Sequence, residues 1–143
     1  MISVQKKVMS RILQLTQNMK NIPKGRARHF SFLVCKNTIL SIGWNDYNKT
    51  HTLAKKFGYY NGNIHSELAC IVSCQRDLKN CIMVNTRIGH NNEYLMSKPC
   101  KHCQRLLLWY NIDNILYSTI EGFECLNMKT NLKMNFMQFQ KKF

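Results

Sequence analysis

Two short stretches constrain this chain more than any others. They are His65-Ser66-Glu67 and, far along the sequence, Pro99-Cys100-Lys101-His102-Cys103. Between them they supply one imidazole, two thiols and one carboxylate, and the fold must bring these groups together for the pattern to mean anything. Imidazole and thiolate are ligands that suit zinc, and three protein ligands rather than four leave a coordination position open for water. Glu67 is then a carboxylate that is not needed as a ligand. This is the arrangement of a catalytic metal site, with His65, Cys100 and Cys103 as candidate ligands.

Local pattern places both stretches at helix starts. Residues 64–75 read as a helix with Leu68, Ile71 and Val72 on one face, so His65 and Glu67 fall in its first turn. Pro99 sits where proline opens helices, which puts Cys100 and Cys103 three apart in one first turn, facing the same way. The free N–H groups of a helix start create a positive potential that favours a carboxylate and lowers thiol pKa. Leu106, Leu107, Leu108 and Trp109 carry the second helix into the core. His102 points elsewhere and reads as a bystander, while Cys70 and Cys74, one turn apart, read as small core residues.

His-x-Glu followed by Pro-Cys-x-x-Cys resembles the signature of the zinc-dependent nucleobase deaminases, the cytidine/deoxycytidylate deaminase-like superfamily. The resemblance runs, more faintly, from about Phe30 to Tyr117. It implies that His65, Cys100 and Cys103 bind one zinc ion with a water or hydroxide as fourth ligand, and that Glu67 is the acid/base. It implies a fold as well: an α/β three-layer α-β-α sandwich with a five-stranded mixed sheet. The backbone N–H near Ser66 and the carbonyl near Lys98 would read the base. Most relatives have Ala or Cys at the place of Ser66.

The remaining chain fits a single deaminase domain over 1–143, with an N-terminal helix at 4–19, a catalytic core at 29–126 and a basic tail at 127–143. Val4, Val8, Ile12, Leu15 and Met19 recur at helical spacing. Residues 30–35 and 38–44 are β-rich and joined by Lys36-Asn37, which reads as a hairpin. Gly43-Trp44-Asn45 resembles Gly-x-Asn endings in tRNA adenosine and deoxycytidylate deaminases, making Asn45 a candidate substrate ligand; an Asn that merely tolerates a turn reads equally well. Residues 45–64 form a long connection expected to overhang the metal. Its His51 is a third candidate substrate contact beside Asn45 and Ser66, although a surface histidine is the commoner case. Residues 81–88 read as a strand, 89–92 as a turn, 93–97 as extended. Residues 115–120 and 123–126 flank Glu121-Gly122 as a tight hairpin, so the last strand runs antiparallel to its neighbour. The tail reads as a short terminal helix.

Charge narrows the partners. Lys and Arg number 21 against 7 Asp and Glu, a net +14, and no acid precedes Asp46. A field of that sign attracts polyanions, and compositional drift is the plainer alternative. The basic, acid-free start also resembles a mitochondrial presequence. Seven cysteines, an odd count without framework spacing, favour a reducing compartment, hence cytoplasm. No apolar run approaches ~18 residues, so no membrane partner is expected.

The reading is therefore a zinc hydrolase that deaminates a nucleobase, cytosine to uracil, in single-stranded nucleic acid or a cytidine nucleotide. The alternatives are a tRNA adenosine deaminase-like activity and a non-enzymatic, zinc-stabilised nucleic-acid binder. The last would need a fourth protein ligand, such as Cys35 or Cys74. Assembly into a homo-oligomer is left open.

Overall fold

Alternation along one strand sets the layering. In the computed structural model, which describes residues 4–23, 28–59 and 63–129 apart from the side chain of Tyr47, strand β1 (Arg28–Cys35) is buried along most of its length. Successive side chains of an extended chain point to opposite faces. Phe30, Phe32 and Val34 accordingly pack, with Val84, against Val8 and Ile12 of helix α1 (Lys6–Met19). Leu33 and Cys35 join the other cluster, with Leu68 of α3 (Ser66–Val72) and Leu106 and Leu107 of α4 (Lys101–Trp109). Two apolar faces on one sheet require cover on both sides, and the outcome is the expected α-β-α sandwich. Thr16 pins α1 down: its buried hydroxyl donates to the Ile12 carbonyl at 2.8 Å and lies 3.0 Å from Thr86 Oγ1.

The central sheet has the order β2 (Thr38–Trp44), β1, β5 (Ile82–Ile88), β6 (Asn114–Thr119), β7 (Gly122–Asn127). β5 and β6 are parallel, joined across α4, and every other neighbouring pair is antiparallel. Lys36 and Asn37 both take positive φ, 50° and 60°, the conformation of a two-residue turn whose twist matches its strands. The last strand is antiparallel, as expected, but the turn falls at Ile120-Glu121 rather than Glu121-Gly122, because Gly122 already pairs with Thr119. The expected terminal helix lies largely outside the described residues.

The long connection after β2 holds more structure than its sequence announces. β3 (Asp46–Thr50) pairs with β4 (Asn63–Ile64) in a separate two-stranded sheet, and α2 (Thr52–Lys56) lies between them. β3 carries no apolar alternation because its exposed residues have no core to face, so periodicity cannot reveal it. α3 ends at Val72 rather than Gln75. The Cys74 N–H turns back to the Ile71 carbonyl at 3.0 Å, tightening the last turn. Among the described residues no helix is long and apolar enough to cross a membrane.

The side of the molecule that carries His65 depends on how closely α3 can lie on β2. Gly43 makes this approach: a methyl group there would come within 2.5 Å of the Ser66 carbonyl oxygen and 2.7 Å of Cys70 Cα. Both are backbone atoms that no rotamer change can move. Gly43→Ala should therefore destabilise the protein by at least the ~1–3 kcal/mol of an overpacked core. Denaturant unfolding measures this directly, and the same variant should hold zinc less tightly, because α3 carries His65.

Candidate active site

Two of the three candidate ligands stand at helix caps rather than inside the first turn, where Cys103 alone lies. His65 is the N-cap of α3 and Cys100 the N-cap of α4, each in extended backbone, with Pro99 one residue further out than the sequence pattern placed it. An N-cap side chain is free to fold over the helix end. Cys100 does so, accepting the Cys103 backbone N–H at 3.5 Å. The His65 Nδ1 atom stands 3.7 Å from Cys100 Sγ and 3.6 Å from Cys103 Sγ. Zn–S bonds of ~2.3 Å and Zn–N bonds of ~2.0–2.1 Å at the tetrahedral angle give an S···N edge of ~3.6 Å. The imidazole thus already stands at the separation from each sulfur that a zinc ion would impose, all three donors lie within 4.8 Å of one another, and the set is compatible with one zinc ion. Among the described residues this is the one group of three or more metal-type donors, and neither Cys35 nor Cys74 belongs to it.

The sulfurs sit in unlike surroundings. Cys100 is exposed and its thiol is drawn down to about 3, first by its hydrogen bond with Cys103, against the opposing effect of burial. Burial pushes the fully enclosed Cys103 well up. The Tyr59 hydroxyl, 2.7 Å from Cys103 Sγ, supplies a polar hydrogen that can reach that sulfur. The ring of Tyr59 packs on the His65 imidazole, centroids 4.5 Å apart. His102 faces away from the donors, as expected, with Nδ1 2.9 Å from the Phe57 carbonyl oxygen.

Glu67 lies in the first turn of α3 with both carboxylate oxygens held. The Ser66 hydroxyl donates to Oε1 at 2.9 Å, and the Asn85 side-chain amide donates to Oε2 at 3.2 Å. The orientation of Asn85 follows from its neighbours. Its Nδ2 also faces the Ser97 carbonyl at 3.2 Å, while its Oδ1 lies 2.7 Å from the Ser31 hydroxyl. Ser31 and Asn85 are direct cross-strand partners, and Ser31 Oγ reaches Ser66 Oγ at 2.8 Å. The carboxylate therefore hangs from a polar cluster built on β1 and β5 beneath α3. Burial raises the Glu67 pKa, while its own backbone N–H, Ser66 and the His65 imidazole pull the other way.

A cavity of about 250 Å³ opens beside these groups, lined by His29, Asn45, Ser66, Glu67, Lys98 and Cys100 among others. Asn45 is at the wall where the sequence pattern implied, buried, with its Oδ1 accepting the His29 backbone N–H at 2.9 Å. Ser66 lies there too, its hydroxyl turned to Glu67. His51 does not: its Nδ1 accepts the Leu53 N–H at 3.1 Å as the cap of α2, and the side chain borders a different groove with Trp109. Sequence reasoning missed His29, Ser31 and Asn85. Asn85 had a signal: a lone amide within the strand Ile-Met-Val-Asn-Thr-Arg-Ile has to find partners once buried. His29 had none, since its neighbours come from β5 and α3.

Two outcomes test this arrangement. Removing the Asn85 amide with Asn85→Ala strips a donor from a buried carboxylate and should cost about 1–3 kcal/mol in denaturant unfolding. Asn85→Asp should cost more, because it sets a second carboxyl against Glu67. Separately, burial, then Arg87 and His65, hold the His29 pKa down from 6.5 to about 4. The unfolded chain therefore binds more protons at this residue between those values, so its contribution to stability falls as pH drops from 6.5 to about 4. A thermal-unfolding series in pH should show a shallower acid decline for His29→Gln than for the wild type.

Comparison with known proteins agrees with this geometry. A family model described as the cytidine and deoxycytidylate deaminase zinc-binding region matches residues 2–119. No curated protein matches the chain in the sequence comparison. Among solved structures, the dCMP deaminase of cyanophage S-TIM5 aligns with a TM-score of 0.56 at 14% identity, covering 81% of this chain and 86% of that one. The cytidine deaminase of Mycobacterium leprae aligns with a TM-score of 0.55 at 15% identity, covering 87% and 96%. That of Burkholderia pseudomallei gives 0.60 at 9% identity, covering 83% and 91%. At such identities the structural likeness speaks for the fold, and the match over residues 2–119, which spans every residue of the triad and Glu67, speaks for the family: the chain belongs to the cytidine and deoxycytidylate deaminases of the zinc-binding type.

Proposed function

We propose that this protein hydrolyses the exocyclic amino group of cytosine, giving uracil and ammonia, in a nucleotide or in single-stranded nucleic acid. The observation that carries the reading is a three-donor metal site whose neighbouring cavity also holds a buried, doubly hydrogen-bonded carboxylate. A purely structural metal site has no use for that carboxylate, which weighs against the non-enzymatic alternative.

Hydrolytic deamination adds water across the C–N bond and releases ammonia, so it needs a nucleophile at neutral pH and a group that moves protons. His65, Cys100 and Cys103 would hold a zinc ion, which would supply the first by lowering the pKa of bound water from 15.7 to about 7. Glu67 supplies the second. It takes a proton from the attacking water, gives it to the ring nitrogen beside the amino-bearing carbon, and then passes a proton to the departing amine. Its raised pKa suits a group that must both accept and return a proton. Ser66 and Asn85 keep the carboxylate aimed while its charge changes. Asn45 bounds the pocket where a sugar would enter.

Size supports a base going in and the rest staying out. At about 250 Å³ the cavity is smaller than the ~300–1,000 Å³ of sites that enclose drug-sized ligands. Such a volume admits one nucleobase, and cytosine is favoured over adenine by the family match, whose description names cytidine and deoxycytidylate. Sugar and phosphate would lie at the mouth near Lys98, in the field of a +14 chain.

Ammonia release, with conversion of cytosine to uracil, on dCMP, cytidine, single-stranded DNA and tRNA measures the activity and ranks the substrates. Glu67→Gln should lower kcat by about 10²–10⁴-fold with zinc content retained, the range for loss of a general acid/base. Chelation should abolish turnover, and zinc should restore it. Turnover of dCMP alone would reject the polymer as substrate, and absence of turnover on all four would reject the deaminase reading.

A further inference from the structure

We propose that the outer face of α4, together with the end of α2, is a docking track for a single-stranded polynucleotide that leads to the pocket. Lys101, Arg105 and Trp109 are all exposed and spaced four apart, so they form one stripe along the helix. The stripe begins beside the pocket, which Lys98 and the cap residue Cys100 both line. It ends about 12 Å away at 1.5 Å per residue. At that far end Trp109 is 62% exposed. Phe57 meets its edge at 6.1 Å and 72°, and the Lys56 ammonium lies 4.0 Å from its ring centroid. Arg105, Phe57, Lys56 and Trp109 line one continuous groove.

An exposed indole beside two cations is the chemistry of a single-strand platform: the ring stacks a base, and the cations hold its phosphates. Charge commits the track to a polyanion. The chain carries no acid from residue 47 to 66 or from 94 to 112, the stretches that hold Lys56, Phe57, Lys101, Arg105 and Trp109, while Asp77 lines a separate groove that Trp109 also borders. Among the described residues Arg105 engages only Nη2, with His102 Nδ1 at 2.6 Å and the Phe57 carbonyl at 3.4 Å, which leaves the rest of its fork for a phosphate. A second copy of the chain fits less well, since a two-fold contact through this stripe would set its cations against one another. The inference rests on the reading of the pocket as one that takes a base, and it adds the polymer that presents that base.

The test is fluorescence anisotropy with a labelled pyrimidine single strand of about 10 nucleotides, across a salt series, on the zinc-loaded full chain. Wild type should bind with salt-dependent affinity. Lys101→Ala with Arg105→Ala should reduce the slope of log K against log salt by about 1.4, or about 0.7 for each phosphate that is no longer neutralised. Trp109→Ala should weaken binding roughly 5- to 150-fold, and Trp109→Phe, which keeps a ring, should restore much of it. Lys7→Ala, exposed on α1 across the sheet from the stripe, should bind as wild type does. Unchanged affinity and slope in the stripe variants would overturn the proposal. So would a wild-type dimer in sedimentation that Trp109→Ala dissociates without changing strand affinity, because the face would then serve a second copy. Turnover of dCMP, cytidine, single-stranded DNA and tRNA, assayed in parallel, keeps the two readings apart: strand binding lost in the variants of a protein that turns over none of the four upholds the track and rejects the deaminase, and turnover with strand binding unchanged in the variants does the opposite.

Discussion

Everything at the working end of this protein depends on two helix starts meeting over the same edge of the sheet. The α3 start brings His65 and the α4 start brings both cysteines, and the imidazole comes to rest within 3.7 Å of each sulfur. No single element holds the site. It exists only where α3 packs on β1 and β2 and where α4 crosses between the parallel strands β5 and β6. Gly43 is the clearest sign of how narrow that tolerance is, because it lets backbone lie on backbone at the root of α3.

The polar cluster under α3 shows what the fold gives up to place a carboxylate inside. Ser31, Ser66, Asn85 and Glu67 are all nearly inaccessible to solvent, where an apolar core would pack at least as well. Buried polar groups are costly when unpaired and rigid when fully paired. Here each finds a partner on a different element, so the cluster fixes the carboxylate relative to β1, β5 and α3 at once. Ser97 and Ser118 extend it to β6, with their hydroxyl oxygens 2.9 Å apart.

The two faces of the sheet divide the labour. The α1 face is apolar and conventional, sealed by Phe30, Phe32 and Ile12, with the Thr16–Thr86 pair as a buried polar link. The basic residues of the first twenty positions ride on the outside of that helix. On the other face α2 and α4 carry the exposed Lys55, Lys56, Lys101 and Arg105. The positive charge therefore lies over a packed apolar layer on one side and on the helices beside the candidate metal donors on the other.

How much could be read beforehand follows from the range of each interaction. The ligand set, the carboxylate between the ligands, the two-residue hairpin at Lys36-Asn37 and the final antiparallel pair were written in the sequence, because each rests on contacts within a few residues or on residue types that only metal chemistry brings together. The N-cap positions of His65 and Cys100, the cap role that takes His51 out of the pocket, and the hidden elements between residues 45 and 64 were decided by tertiary packing. So were His29, Ser31 and Asn85, which become part of the site only through the register of β1 on β5. Strand alternation tells which side a residue faces, but only the pairing of distant strands tells what it meets there.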